Sequence, residues 1–212
     1  MPGHATCGVP ENQNMTSRSS ITALTFLLTI AAATVGCGPA VRNITIRSEA
    51  SLTADASSAT LVIMQPSTHF GSVNILDAQG HLLGQISDRS HTVLHVNPGE
   101  VRLYAIPERQ GSWGDRIVGT VEAGRVYYAT IGMRWGGLTF LALNPRSADE
   151  RWSHRDEFLA NTPSVAMDPD QVALAVSEIG DAASLIEQVD HTVDRMDEAH
   201  LAERTILPGD GI

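Results

Sequence analysis

Histidine is the residue best suited to chemistry in this chain, and four of its eight histidines fall between positions 69 and 95. His91 and His95 stand four apart in a predicted strand, so they share one face with Val93 between them. With His69 and His81 nearby they offer imidazole nitrogens of the kind that bind transition metals. The spacing argues against it. Residues four apart in a strand are separated by roughly 13 Å, too far to share one ion directly. The expectation is therefore no metal site and no cofactor. The loop "PERQGSWGDR" carries Trp113 between Arg109 and Arg116, a composition that favours binding hot spots, and these three residues form the candidate interaction surface. No G-x-S-x-G, H-E-x-x-H or C-x-x-C pattern occurs, and "RWGGL" reads as a strand break rather than a phosphate loop.

The remaining reactive residue types are Cys7 and Cys37. Ile21 to Val35 is an apolar run of about 15 residues, shorter than the roughly 20 that a membrane-spanning helix needs. It has the length of a secretory signal's apolar region, preceded by Arg18 and closed by small residues. The stretch "TVGC" resembles a bacterial lipobox, with Thr34 standing where Leu or Val is usual. That resemblance implies cleavage after Gly36 and lipidation of Cys37 as the first mature residue. Met15 is a more natural start than Met1, because residues 1–14 are polar and unlike a signal's first region. After cleavage one acylated cysteine remains, so no disulfide can form and the core alone must hold the domain. The implied partner is the membrane, reached through the lipid on Cys37. Gly38 in place of Asp favours the outer membrane, facing the periplasm.

These residues need elements to position them, and charge divides the chain near residue 147. From Cys37 to Arg146 there are 9 Arg and 8 acids; from Ser147 to Ile212 there are 4 Arg and 15 acids, with no lysine anywhere. Nothing is basic enough to expect nucleic acid as a partner. Residues 37–57 read as a lipidated tether with a first strand, "RNITIR", in which Ile44 and Ile46 alternate. Residues 58–146 read as a β-sandwich. "SATLVIMQP" is an apolar run of strand length. Asp77-Ala78-Gln79-Gly80 closes a hairpin, Pro98-Gly99 has type II turn chemistry, and Gly124 repeats the device. The eight acids of this part are scattered singly, which disfavours paired-carboxylate catalysis.

The succession "SATLVIMQP", "SVNILDAQGHLLGQI", "HVNPGEVRLYA" and "VEAGRVYYATI" resembles the bacterial family called domain of unknown function 2846. The resemblance covers roughly residues 58–145 and rests chiefly on Pro98-Gly99 and on Gly124 followed by Tyr127-Tyr128. It implies a lipoprotein or secreted protein with a small antiparallel β-sandwich, transthyretin-like or carboxypeptidase-regulatory-like, and transfers no activity to named residues.

Residues 147–168 read as a linker in which Trp152, Phe158 and Leu159 anchor a short helix. Residues 169–206 read as one long C-terminal α-helix, with Asp168 as N-cap and Pro169 in its first turn. Val172, Ala175, Ile179, Ala182, Ile186, Val189, Val193, Met196 and His200 recur at steps of three and four, a heptad seam. Gly180 lies within that seam without a phase slip. About 36 helical residues would span roughly 54 Å. The seam can pack on the chain's own sheet, or serve self-association or a protein partner. Residues 207–212 form a tail. The sequence thus favours a lipid-anchored envelope protein with a non-catalytic binding or assembly module. The alternative is an envelope hydrolase or metal-dependent enzyme of unrecognised type, which would need His or carboxylates converging in one polar pocket.

Overall fold

The computed structural model describes residues 44–47, 52, 56–68, 71–108, 113–134, 137–146, 149–168, 170 and 172–212. The chain divides into two units, Met1–Cys37 and Gly38–Ile212, and every described residue belongs to the second.

The fold is mainly β, built from two facing sheets with helices on both outer faces. The first sheet takes the order β1-β10-β5-β2-β8-β9. Its strands are β1 (Ile44–Arg47), β2 (Ala59–Gln65), β5 (Ser90–Val96), β8 (Val126–Arg134), β9 (Gly137–Leu143) and β10 (Ser164–Met167). The second takes the order β11-β7-β6-β3-β4. It contains β3 (Val73–Asp77), β4 (Leu82–Ile86), β6 (Gly99–Pro107), β7 (Asp115–Val121) and β11 (Thr205–Ile206). Ala59, Leu61, Ile63, Tyr127, Ala129, Ile131 and Phe140 of the first sheet meet Val73, Ile75, Leu103, Ala105 and Ile117 of the second in the central core. All seven residues of β2 are buried, which explains its unbroken apolar reading: a central strand covered on both faces has no reason to alternate.

Both sheets are mixed, not purely antiparallel as the sequence led one to expect. β8 runs parallel to β2, β10 parallel to β5, and β11 parallel to β7. The connections account for this: β10 and β11 enter after helices, and β8 enters after a crossing between sheets. Asp77-Ala78-Gln79-Gly80 closes a true β3–β4 hairpin, with Gly80 at φ 82°. The Asp77 carboxylate accepts from the backbone N–H groups of Gln79 and His81, each at 2.8 Å. Pro98-Gly99 and Gly124 do not close hairpins. Each carries the chain from one sheet to the other, β5 to β6 and β7 to β8, and a strand that crosses over can re-enter beside a parallel neighbour.

The long C-terminal helix is also corrected. Residues 172–202 form three helices, α3 (Val172–Ile179), α4 (Ala182–Val193) and α5 (Glu198–Ala202). Gly180 adopts φ 70°, left-handed backbone that ends α3. Asp181 then caps α4, accepting from Ser184 N at 3.1 Å, and Asp197 caps α5, accepting from His200 N at 2.9 Å. The seam from Ile179 to Met196 therefore spans two helix ends, because these segments pack on the same side of one sheet; in α5 it is Leu201, not His200, that joins them.

Val189 and Val193 of α4 are buried against Leu76, Tyr104 and Ile106 on the second sheet's outer face. On the first sheet's outer face, α1 (Glu150–Ser153) and α2 (Arg155–Asn161) set Trp152, Phe158 and Leu159 over Val62, Met64, Tyr128 and Leu143. The sandwich also draws on residues beyond 146, since β10 and β11 complete the two sheets.

Candidate functional site

Along β8 the outward positions are Tyr128, Thr130, Gly132 and Arg134; along β9 they are Leu143, Leu141, Thr139 and Gly137. The register sets Tyr128 opposite Leu143, Thr130 opposite Leu141, Gly132 opposite Thr139, and Arg134 opposite Gly137. The first of these pairs lies under α1 and α2, and beyond it Thr130, Leu141 and Thr139 are still buried while Arg134 is exposed. A groove of about 650 Å³ opens there, floored by Met64, Thr130, Gly132, Thr139, Leu141 and Leu143 and walled by Phe158. Its volume falls in the range of small-molecule sites. A β-carbon on Gly132 would meet only Thr139 Oγ1, at 3.4 Å, so the missing side chain leaves open space over the floor.

Three guanidinium groups line the groove. Arg134 donates to Glu203 Oε2 at 3.1 Å, both side chains being well exposed. Arg151 makes a forked contact with Asp149, Nε to both carboxylate oxygens at 2.8 and 2.9 Å and Nη2 to Oδ2 at 2.5 Å. That hydrogen-bonded pairing holds the Asp149 carboxyl below the usual carboxylate range and raises Arg151. Arg155 differs from both. Its side chain is only 11% exposed. Its guanidinium lies 4.0 Å from the Trp152 ring centroid and 4.8 Å from that of Tyr128, and the two rings meet edge to face at 5.6 Å. Such cation–π contacts contribute about 0.5–2 kcal/mol each and fix the cation's position. Nε and Nη2 reach the exposed Asp156 carboxylate, at 2.8 and 3.0 Å. Nη1 is shielded from solvent and has no hydrogen-bond partner among the described residues.

A second polar cluster joins α4 to the sandwich. Tyr104 Oη donates to both oxygens of Asp190, at 3.0 and 3.1 Å. Arg116 contacts Asp190 through Nη1 and Asp194 through Nη2. Burial first, and the Asp190 carboxylate second, push the Tyr104 phenol above its ordinary value.

The expected site residues fall in separate places. Trp113 is 64% exposed, and Arg116 contacts the α4 carboxylates of Asp190 and Asp194; Arg109 lies outside the described residues. Gly36, Cys37 and His69 also lie outside them. His91 is buried with Nδ1 3.1 Å from Thr162 Oγ1, His95 is exposed with Nδ1 3.3 Å from Thr60 Oγ1, and His81 pairs with Asp77 in the hairpin. Of the seam, Val189 and Val193 are packed on the chain's own sheet, with Ile179, Ile186 and Met196 around them; Val172 is half-buried. The groove residues Arg134, Arg151, Arg155 and Gly132 do not stand out in the sequence. The available signals were the one-turn spacing of Arg151 and Arg155 around Trp152, and a glycine on the outward face of an otherwise well-filled strand.

No family model matches this chain, and no curated protein matches it.

Proposed function

We propose that this chain is a lipid-anchored protein of the cell envelope, held by a lipid on Cys37 at the outer membrane and facing the periplasm. Its sandwich is a non-catalytic binding module, and the groove beside α2 is its ligand site. The likeness to domain of unknown function 2846 lipoproteins belongs to this proposal.

The observation that carries the binding role is the recess itself, about 650 Å³, with the side chains of Arg134, Arg151 and Arg155 and of Glu150 and Glu203 along its lining. The address rests on the apolar run from Ile21 to Val35 followed by Gly36 and Cys37.

Two measurements test the two halves. Mass spectrometry of the N-terminal peptide from native membranes should find an acylated Cys37, and Cys37→Ala should release the protein from the membrane. An unlipidated N-terminus would overturn the address. Amide chemical-shift mapping with a mixed fragment library should concentrate shifts at Thr130, Gly132, Thr139 and Arg155. Shifts confined to other surfaces would overturn the groove as the site.

A further inference from the structure

Residues 203–212 close one side of the sandwich. Ala142 N on β9 donates to Glu203 O and Val118 N on β7 donates to Arg204 O, each at 2.9 Å. Amides from the two different sheets thus meet consecutive carbonyls of a single segment. Thr205 and Ile206 then run parallel to Val118 and Gly119. A β-carbon on Gly119 would stand 2.7 Å from Ile206 Cβ, too close for any side chain there. Farther on, Tyr127 Oη donates to Pro208 O at 3.2 Å and Arg125 Nη1 to Gly211 O at 2.9 Å. Ile212 exchanges backbone hydrogen bonds with Val126, at 3.0 and 3.1 Å.

This closure is rich in hydrogen bonds and thin in apolar burial. Among the described residues, Ile206 is the one member of the central core cluster that comes from residues 198–212. The helix α5 just before the segment holds no buried residue, and Leu207 and Ile212 are 52% and 57% exposed. Releasing the segment therefore leaves nearly all the apolar contacts between the sheets in place. Nor does release strand the buried ion pair. Arg204 leaves with the segment, and Asp115 is left on an edge that water can reach, where a carboxylate is solvated. Parts of a fold with few buried apolar contacts open at free energies below that of global unfolding. We propose that residues 203–212 are a strap that opens as one unit while both sheets stay folded. Its opening bares the edges of β7 and β9 and takes Glu203 off the groove's lining.

Native-state amide exchange on the full chain tests this, read as protection factors. Val118 and Ala142, on different sheets, should share one protection factor, roughly a hundredfold below those of Leu61 and Ile63 in β2. Two matched changes then assign the opening. Ile206→Val acts on the strap, so it should lower protection at all four amides by one common factor, about three- to tenfold. Ile86 is fully buried on β4, at the opposite edge of the second sheet from β11, and stays folded when the strap opens. Ile86→Val should therefore lower protection at Leu61 and Ile63 by about three- to tenfold and leave Val118 and Ala142 unchanged. Protection at Val118 and Ala142 that falls with Ile86→Val would mean that the segment leaves only on global unfolding, and would overturn the strap. Unequal protection at those two amides, or protection there indifferent to Ile206→Val, would overturn it as a single unit. The readout needs no ligand, so failure of the groove as a binding site would leave this result standing.

Discussion

Replacing Arg204 by methionine should destabilise the protein far more than any surface charge change. Arg204 and Asp115 are among the most deeply buried ions of the described residues, their side chains 5% and 2% exposed. Arg204 Nε donates to both Asp115 oxygens, at 2.9 and 3.0 Å, and Nη1 donates to His200 O at 2.8 Å. The same carboxylate accepts from Phe140 N on the first sheet and Arg116 N on the second. The neighbouring backbone bridges the sheets as well, with Val118 N donating to Arg204 O and Ala142 N to Glu203 O, each at 2.9 Å. Arg204→Met strands a buried carboxylate, a loss of about 3–5 kcal/mol. For a domain of this size that is roughly 6–20 °C in melting temperature. Circular dichroism melts should show it, and 1 M salt should leave the difference intact, because screening acts on exposed charges. The exposed Arg134–Glu203 pair supplies the control: Glu203→Gln should change stability by no more than about 1 kcal/mol. A double variant, Asp115→Leu with Arg204→Met, should cost less than the sum of its singles, since no unpaired charge remains. A loss under about 1 kcal/mol for Arg204→Met, or one abolished by salt, would refute the account of this pair as the clasp between the sheets.

Two further outcomes follow from particular residues. Gly180→Ala should destabilise by about 1–2 kcal/mol, because alanine is strained at φ 70°, although nothing crowds the site; were residues 172–193 one helix, the same change would stabilise by about 1 kcal/mol, so the sign in a urea titration decides. Burial lowers the pKa of His91 below its usual 6.5; a depressed folded-state value means that its contribution to stability is present above that pH and is lost as pH falls through the folded value, so wild-type stability should drop between pH 7 and pH 5 by more than that of His91→Gln, and equal pH slopes would show that His91 is not responsible.

The sequence was most legible where local chemistry decides the structure. The β2 run, the Asp77–Gly80 hairpin and the anchoring of α1 and α2 by Trp152, Phe158 and Leu159 are all short-range patterns, and all appear as expected. It misled where long-range pairing decides. Pro98-Gly99 and Gly124 specify a reversal of direction, but a reversal inside one sheet and a crossing between two sheets have the same local signature. The seam through Val172, Ile179, Ile186, Val189, Val193 and Met196 shows a common apolar side, and three short helices lying on one sheet satisfy that period as well as one long helix does. Arg155 was illegible for a related reason. Its partners Tyr128 and Trp152 stand on different elements, and no spacing along the chain reveals a cation held between them.

The groove itself could arise merely because the helical cover runs out, and that alternative has physical content. A helix of α2's seven residues is about 10 Å long, whereas the nine residues of β8 extend about 30 Å. Some of the sheet face must lie beyond the helix, and the outward residues become more polar in step, from Tyr128 to Thr130 to Arg134 and from Leu143 to Thr139. Exposure explains Arg134 but not Thr130 and Thr139, which are buried. Nor does it explain Gly132. A strand interior pays for glycine in backbone entropy, about 0.5–1 kcal/mol relative to alanine, and a β-carbon at Gly132 would meet only Thr139 Oγ1, at 3.4 Å. If the groove were only an uncovered margin, Gly132→Leu should stabilise the domain and impair nothing. If the groove holds a ligand, the same variant should melt at an equal or higher temperature and lose binding, the trade between stability and function that an open site imposes. Measuring melting temperature and fragment-induced amide shifts on this one variant separates the two, and a stabilised variant with undiminished shifts would return the groove to the status of bare surface.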